Sequence, residues 1–315
     1  MQPQMSRLSS KHRAVGVKPE NYPTVGKYLV QAIQDGLGSK ATPEAVAAYQ
    51  ALYSAMSSTF IKKEKELYEQ LGGTDADKGF VPFKVVKKDT VASGPTYVLT
   101  LQREDGGKPW NYTPGQYITV RVEKNGIFNQ GHYTLLEPSN GSTYSIGFKQ
   151  GNPLDQNVIT TEELVNNRPV GSTVLVSGPA GSFGLVSGAK SNLFIGGGIG
   201  ITSLMPMINQ LIQEGKAAST TVIQCVRTEG HAAFGDKLGA LPKGQYVALT
   251  EKEPISQNHL QGKVNADTQI YVSGSEAFLG MVDKALAGLN VSKSQIHIKS
   301  IEPTLGLLKA TAGAK

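Results

Sequence analysis

The stretch Gly196-Gly197-Gly198-Ile199-Gly200-Ile201-Thr202-Ser203 follows the apolar run Leu193-Phe194-Ile195 and precedes Leu204-Met205-Pro206-Met207-Ile208. It reads as strand, glycine turn, helix. Glycines lack a Cβ, so the backbone of such a turn can approach a pyrophosphate. The helix that follows offers free N–H groups with a partial positive charge. By itself the turn is a weak signal, because a tight strand-to-helix connection without a ligand has the same composition. Two upstream stretches at strand-like spacing add weight: Pro114-Gly115-Gln116-Tyr117 and His132-Tyr133-Thr134-Leu135.

Downstream and upstream of the turn the hydrophobic period differs. From Ser191 onward, expected strands (192–196, 220–227, 246–250, 269–273) alternate with expected helices (204–214, 276–288). That alternation predicts a parallel sheet. From Phe80 to about Leu185 the period is two, as in Tyr97-Val98-Leu99-Thr100-Leu101 and Tyr117-Ile118-Thr119-Val120-Arg121-Val122. Frequent turn residues make this a small antiparallel barrel, interrupted by one short helix near Thr161 to Asn166.

Residues 20–70 read as helical. Val25, Tyr28, Leu29, Ile33 and Leu37 recur at helical spacing, with Gly38 as a stop. Thr42-Pro43-Glu44 is an N-cap followed by a first-turn proline and a favourable acid. A second stripe runs from Val46 through Tyr49, Leu52, Tyr53, Met56, Phe60 and Ile61 to Leu67. Two such helices cannot bury both apolar faces against each other, so this module needs a further packing partner. The polar stretch Gly72 to Gly79 is the expected boundary, giving segments 1–72, 80–185 and 190–303 and a tail over 304–315.

At 315 residues the chain exceeds a single core, and 18% charged with 39% hydrophobic residues describes an ordinary globular protein. The net charge of +6 is scattered, with no basic run interleaved with aromatics, which argues against nucleic-acid binding. Cys225, the one cysteine, lies in the apolar run Val222-Ile223-Gln224-Cys225-Val226 and reads as a buried strand residue. A lone cysteine excludes an intramolecular disulfide and fits a reducing, cytoplasmic compartment. Met1 to Arg13 has no apolar core, so no secretory signal is expected, and no stretch has membrane-span character.

Barrel then nucleotide domain, in this order, resembles the ferredoxin–NADP reductase superfamily over roughly residues 80–303. The helical segment sharpens the resemblance to flavohaemoglobins, the nitric oxide dioxygenases. The residues concerned are Lys11-His12, Lys18-Pro19-Glu20-Asn21-Tyr22-Pro23-Thr24-Val25-Gly26 and Phe60-Ile61-Lys62-Lys63-Glu64. The resemblance implies a multidomain chain: a partial all-α globin-like segment, an antiparallel β-barrel FAD domain and an α/β parallel-sheet NAD(P) domain. It further implies an NAD(P)H-dependent flavin oxidoreductase using FAD, with NAD(P)H, O2 and NO as small-molecule substrates.

By the same resemblance His12 matches the ligand of haem iron, with Tyr22 and Glu64 as its hydrogen-bonding partners in catalysis. A carboxylate behind the imidazole holds the ring and raises its donation to iron. The family's globin has further helices ahead of this point, which supply the distal wall. A haem needs apolar walls on both faces and this sequence supplies one, so little or no stable haem binding is expected. A start assigned too late, with the missing helices encoded upstream, is the mundane alternative.

In the barrel, the family's Arg-x-Tyr-Ser/Thr matches Gly131-His132-Tyr133-Thr134. The resemblance implies Tyr133 against the isoalloxazine, the Thr134 hydroxyl near flavin N5 and Tyr117 on the same cofactor. Ordinary cross-strand packing is the plainer role for Tyr133 and Thr134. Gly131 replaces the arginine that neutralises the pyrophosphate, a loss of about 1.5–3 kcal/mol; His132 or Lys149 are the candidate substitutes. Restoring it by Gly131→Arg is expected to tighten FAD binding. The family's Gly-x-Val-Ser aligns with Val158-Ile159-Thr160-Thr161, keeping the hydroxyl of Thr161, and Gly178-Pro179-Ala180-Gly181-Ser182-Phe183 matches the barrel-closing segment.

In the nucleotide domain Gly198-Ile199-Gly200-Ile201-Thr202 is kept, with Ser203 where the family has proline. The family's Cys-Gly-Pro reads Ser273-Gly274-Ser275, so the residue beside the nicotinamide has lost its thiol. The C-terminal His-Tyr-Glu-x-Phe-Gly-Pro aligns with His297-Ile298-Lys299-Ser300-Ile301-Glu302-Pro303. The aromatic over the flavin has become Ile301 and the acid Lys299, which would repel Lys11 at the haem–flavin junction; exposed tail residues are the alternative. Arg227 is a candidate for a 2′-phosphate or a solvated strand-end residue. Two functions follow: an altered flavin reductase, or a degenerate, non-catalytic scaffold.

Overall fold

The computed structural model describes residues 2–72, 79–92, 96–151 and 157–301. Most of the linker expected over 72–79, the end of the 190–303 segment and the 304–315 tail lie outside the described residues. The chain forms two compact units, one of residues 1–81 with 177–181, the other of 82–176 with the chain from 182 onward.

The first unit contains α1 (Gln2–Val15), α2 (Asn21–Leu37) and α3 (Pro43–Leu71). As expected, Gly38 ends α2 at φ +55° and the Thr42 hydroxyl caps α3, accepting from the Ala45 N–H at 3.2 Å. Helix α1 was not legible as a helix, because its buried residues include Ser9 and Arg13 beside Ala14 rather than an apolar stripe. Arg13 donates to the carbonyls of Gly178 and Pro179, and the Ser10 hydroxyl accepts from the Gly181 N–H at 3.1 Å. The segment expected to close the barrel therefore begins by anchoring α1. Of the two apolar stripes Phe60 is buried, while Val25, Tyr28, Leu29, Tyr49, Leu52 and Met56 stay exposed. The expected need for a further packing partner is visible in that face.

The antiparallel domain comprises β1 (Phe80–Thr90), β2 (Thr96–Arg103), β3 (Tyr117–Lys124), β4 (Ile127–Thr134), β5 (Tyr144–Lys149), α4 (Val158–Asn166) and β6 (Thr173–Ser177). The sheet order is β4-β3-β6-β1-β2-β5, and a bridge from Leu135 to Ile146 joins its two ends into a barrel. Period-two alternation fills the interior: Phe83, Leu99, Leu101, Ile118, Tyr144 and Ile146 are all fully buried. Gly115 sits at φ +102° where a Cβ would lie 2.0 Å from the Phe183 carbonyl oxygen, so the turn before β3 accepts only glycine.

The parallel domain runs β7 (Ser191–Gly197), α5 (Ile201–Gln213), β8 (Thr220–Cys225), α6 (Gly235–Gly239), β9 (Tyr246–Leu249), α7 (Gln257–Leu260), β10 (Thr268–Gly274), α8 (Glu276–Leu286) and β11 (Ile296–Ser300). Its order is β11-β10-β7-β8-β9 with every pair parallel, the parallel sheet that the strand-helix alternation predicts. Strand β11 was not anticipated: it is an edge strand without a continuous apolar run, and Ile298 is exposed. Helix α5 is buried from Ile201 to Asn209 on every side, which explains its apolar composition all round. Asn209 donates to the Leu136 carbonyl at 3.2 Å, fastening α5 to the chain that leaves β4. Among the described residues no helix is long and apolar enough to cross a membrane.

Gly200 is the tightest point of the nucleotide turn, where a Cβ would lie 2.3 Å from the Ser273 carbonyl oxygen. Gly200→Ala should therefore separate the turn from β10 and destabilise the unit by about 1–3 kcal/mol, read as a lower urea midpoint.

Candidate functional site

Three elements of the helical unit bring together the predicted histidine, tyrosine and glutamate. Helix α1 carries His12, the start of α2 carries Tyr22 and the third quarter of α3 carries Glu64. His12 Nδ1 lies 2.9 Å from Glu64 Oε1 and 3.0 Å from the Tyr22 hydroxyl, which itself donates to Glu64 Oε1 at 2.5 Å. Because a carboxylate can only accept, Nδ1 carries the proton and Nε2 keeps its lone pair. That is the tautomer a metal needs, with a carboxylate fixing the ring from behind. Burial and the adjacent carboxylate push the Tyr22 phenol well above its ordinary range, so it stays a donor. Glu64 is 2% exposed and its Oε2 has no partner. The arrangement fits an iron-ligating histidine, with the Phe60 ring 5.4 Å from the imidazole.

In the second unit the ends of β3 and β4 place Tyr117 opposite Thr134 and His132 opposite Thr119. His132 Nδ1 is 2.9 Å from the Thr119 hydroxyl and its ring lies against Tyr117, so it is engaged within the barrel wall. The Thr134 hydroxyl accepts from the Lys299 ammonium at 2.7 Å and lies 3.3 Å from the hydroxyl of Ser203. Lys299 comes from β11, and its ammonium also reaches the Gly115 carbonyl at 3.5 Å. The rings of Tyr117 and Phe183 enclose it at 5.7 and 5.6 Å. Desolvation there pushes its pKa down to about 8. The expectation that Lys299 belongs to an exposed tail is corrected: it is the last inward-reaching side chain of the sheet.

Tyr133 makes the cross-strand packing that was the plainer of its two expected roles. Its ring is 3% exposed, packs against Phe148 and lies over Gly131, where a Cβ would come within 2.7 Å of the phenol oxygen. The hydroxyl pairs with Thr161 at 3.0 Å in the first turns of α4. Without the arginine side chain, the space above Gly131 is open and the ring takes it. Asn157, which the sequence reading passed over, pins the start of α4 to β4: its amide accepts from the His132 N–H at 2.8 Å and donates to the His132 carbonyl at 2.9 Å. An asparagine just ahead of a helix was the available signal, but its partner strand was invisible from spacing alone.

The nucleotide turn converges on the same place. Gly198 is exposed with φ +52°, Ile199 is half-buried, and the Thr202 hydroxyl donates to the Ile199 carbonyl at 2.8 Å. Gly200 and Ile201 are buried, and Ser203 faces Thr134. Ser273 pairs in register with Lys299 on one side and Gly196 on the other. Its hydroxyl is buried with no hydrogen-bond partner among the described residues, an unsatisfied group of the kind a ligand's polar edge would complete. The Ile301 N–H donates to the Gly274 carbonyl at 3.1 Å, holding the end of the described chain on the turn. Arg227 stays solvated, 3.7 Å from Glu251, as a strand-end residue. Cys225 is a half-buried strand residue whose thiol desolvation pushes up to about 12, which makes it unreactive.

A histidine held by a buried carboxylate, a flavin-type barrel and a nucleotide-binding parallel sheet on one chain define the haem-and-flavin reductase class. The Globin family matches residues 1–60. Flavohemoprotein A of Dictyostelium discoideum is 30% identical over 323 residues, which cover 95% of this chain and 80% of that protein. The chain belongs to the flavohemoprotein family. In fold it is similar to a flavohemoglobin from Malassezia yamatoensis with bound FAD and heme, at a TM-score of 0.82 and 24% identity over 95% of this chain and 79% of that one. The FAD/NAD binding domain of a nitric oxide dioxygenase from Vibrio cholerae aligns over 71% of this chain and 99% of its own, at a TM-score of 0.61 and 24% identity.

Two variants probe this geometry. In Gly131→Arg the new side chain must displace the Tyr133 ring, so the unfolding midpoint should fall without FAD while FAD binding tightens. Tighter binding with no loss of stability would mean that the ring does not occupy the arginine's place. For Lys299, the unfolded chain keeps the proton to about its ordinary 10.5 while the folded site releases it near 8. The unfolded state therefore binds more protons in that window, and stability rises with pH across it. Relative to Lys299→Met, the wild type should gain up to about 3 kcal/mol between these limits, measured by urea unfolding at several pH values.

Proposed function

We propose that this protein is an NAD(P)H-dependent flavin oxidoreductase related to nitric oxide dioxygenase, with functional segments 1–72, 80–185 and 190–303. The observation that carries the reading is the 3.3 Å approach of the Thr134 and Ser203 hydroxyls, which brings the flavin motif of the barrel to the first turn of the helix after the glycine turn. Donor and acceptor sites on two domains are useful only when their reactive ends meet.

Bound FAD supplies the chemistry by accepting a hydride from NAD(P)H. The chain's own residues bind and orient. Tyr117 and Thr134 present a ring and a hydroxyl to the flavin, and Thr161 with the α4 N-terminus offers donors to phosphate. Gly198, Ile199, Gly200, Ile201, Thr202 and Ser203 form the turn and helix start that receive the nucleotide pyrophosphate. Ser273 and Gly274 border the nicotinamide, and Ile301 takes the covering position. His132 buttresses Tyr117 rather than a phosphate. In the helical unit, His12 offers Nε2 to haem iron while Tyr22 and Glu64 hold the ring. The reaction read here is reduction of oxygen or another acceptor through FAD.

The filled space above Gly131 favours a second reading, a scaffold that has lost its flavin. An absorbance spectrum separates the two. Flavin bands near ~450 nm that bleach on anaerobic addition of NADH or NADPH are the expected result. A colourless protein that takes up no added FAD would establish the scaffold. Haem titration should give no sharp Soret band; one that vanishes in His12→Ala would restore the dioxygenase.

A further inference from the structure

Among the described residues Lys299 is a cation with no counter-ion in contact. Its ammonium is enclosed by Tyr117 and Phe183 and bonded to the Thr134 hydroxyl and the Gly115 carbonyl. Among the described residues no carboxylate lies within ion-pair distance of it. The titratable groups around it are Tyr117 and His132 of the barrel and His297 of its own strand. His297 is turned away, stacked on Tyr271 with its Nε2 at 2.8 Å from Gln269. A desolvated charge held in place by hydrogen bonds but left unneutralised is costly, and a negative ligand group arriving there relieves the cost.

The atom that fixes Lys299 is the Thr134 hydroxyl, the group placed at the flavin in the function proposed above, on which this inference rests. When NAD(P)H reduces FAD, a hydride leaves the nicotinamide as NAD(P)+ and the flavin ring, gaining two electrons and one proton, acquires one net negative charge. We propose that Lys299 is the charge partner of reduced flavin: its ammonium, positioned by Thr134, Tyr117 and Phe183, binds the anionic reduced ring more strongly than the neutral oxidised one. Charge near the flavin ring is among the few levers by which a protein tunes the cofactor's electron affinity. A carboxylate at this position would push the opposite way, so the lysine makes this flavin a better electron sink and a weaker donor. Lys299 acts on the flavin's charge and exchanges no proton or electron itself.

The test uses the full chain loaded with FAD, its midpoint potential measured by equilibration with a reference dye at pH 7. The affinity for oxidised FAD is measured in parallel by flavin fluorescence. Lys299→Met should bind oxidised FAD within about threefold of the wild type. It should lose about tenfold or more in the preference for reduced over oxidised flavin, roughly 30 mV for a two-electron couple. Lys299→Arg should keep the wild-type potential and Lys299→Glu should fall below Lys299→Met. Equal potentials in wild type, Met and Glu variants that all hold FAD would overturn the role of Lys299 and leave the reductase reading intact. A wild-type protein with no flavin absorbance after FAD addition would overturn both. Loss of FAD in the Met variant alone, with its urea midpoint unchanged, would make Lys299 a binding residue and overturn its selectivity for the reduced form.

Discussion

The hydroxyl of Thr134 is the point on which the reductase part of this molecule turns. It ends β4 of the barrel, accepts from the ammonium that ends the parallel sheet and touches the first turn of the nucleotide helix. A single small oxygen can serve all three because two glycines let backbones close around it. Gly115 allows the Phe183 carbonyl against the turn before β3, and Gly200 allows the Ser273 carbonyl against the nucleotide turn. Neither position has room for a methyl group. One glycine closes the turn before β3 and the other closes the nucleotide turn on β10.

Substitutions at the family's motif positions have local physical consequences. Loss of the arginine side chain at Gly131 leaves volume over β4, and the nearest mobile ring, Tyr133, fills it and pairs with Thr161. Replacing an acid by Lys299 reverses the charge beside Thr134, and the cation is held by hydroxyl, carbonyl and aromatic faces.

The helical unit is built on another balance. A buried carboxylate is tolerated because two donors, the Tyr22 phenol and the His12 imidazole, converge on one of its oxygens. The price is a fixed histidine tautomer, which is also the one suited to iron. In the same unit α2 and α3 keep apolar residues such as Val25, Tyr28, Leu52 and Met56 exposed.

From the sequence by itself came the order of the parts, because period-two and helical patterns differ over long stretches, and glycine turns and caps mark their ends. The glycine turn was legible from its composition, and the grouping of His12, Tyr22 and Glu64 from the family resemblance that short motifs carry. Helix α1 and strand β11 were not, since one buries polar residues and the other is a half-exposed edge. Only the tertiary structure decided where Tyr133, Asn157 and Lys299 point. Each makes contacts with residues far away in the chain: Tyr133 with Thr161, Asn157 with His132, Lys299 with Thr134. Hydrophobic period is a local property, whereas the partner of a buried polar group is set by which strands the fold brings side by side.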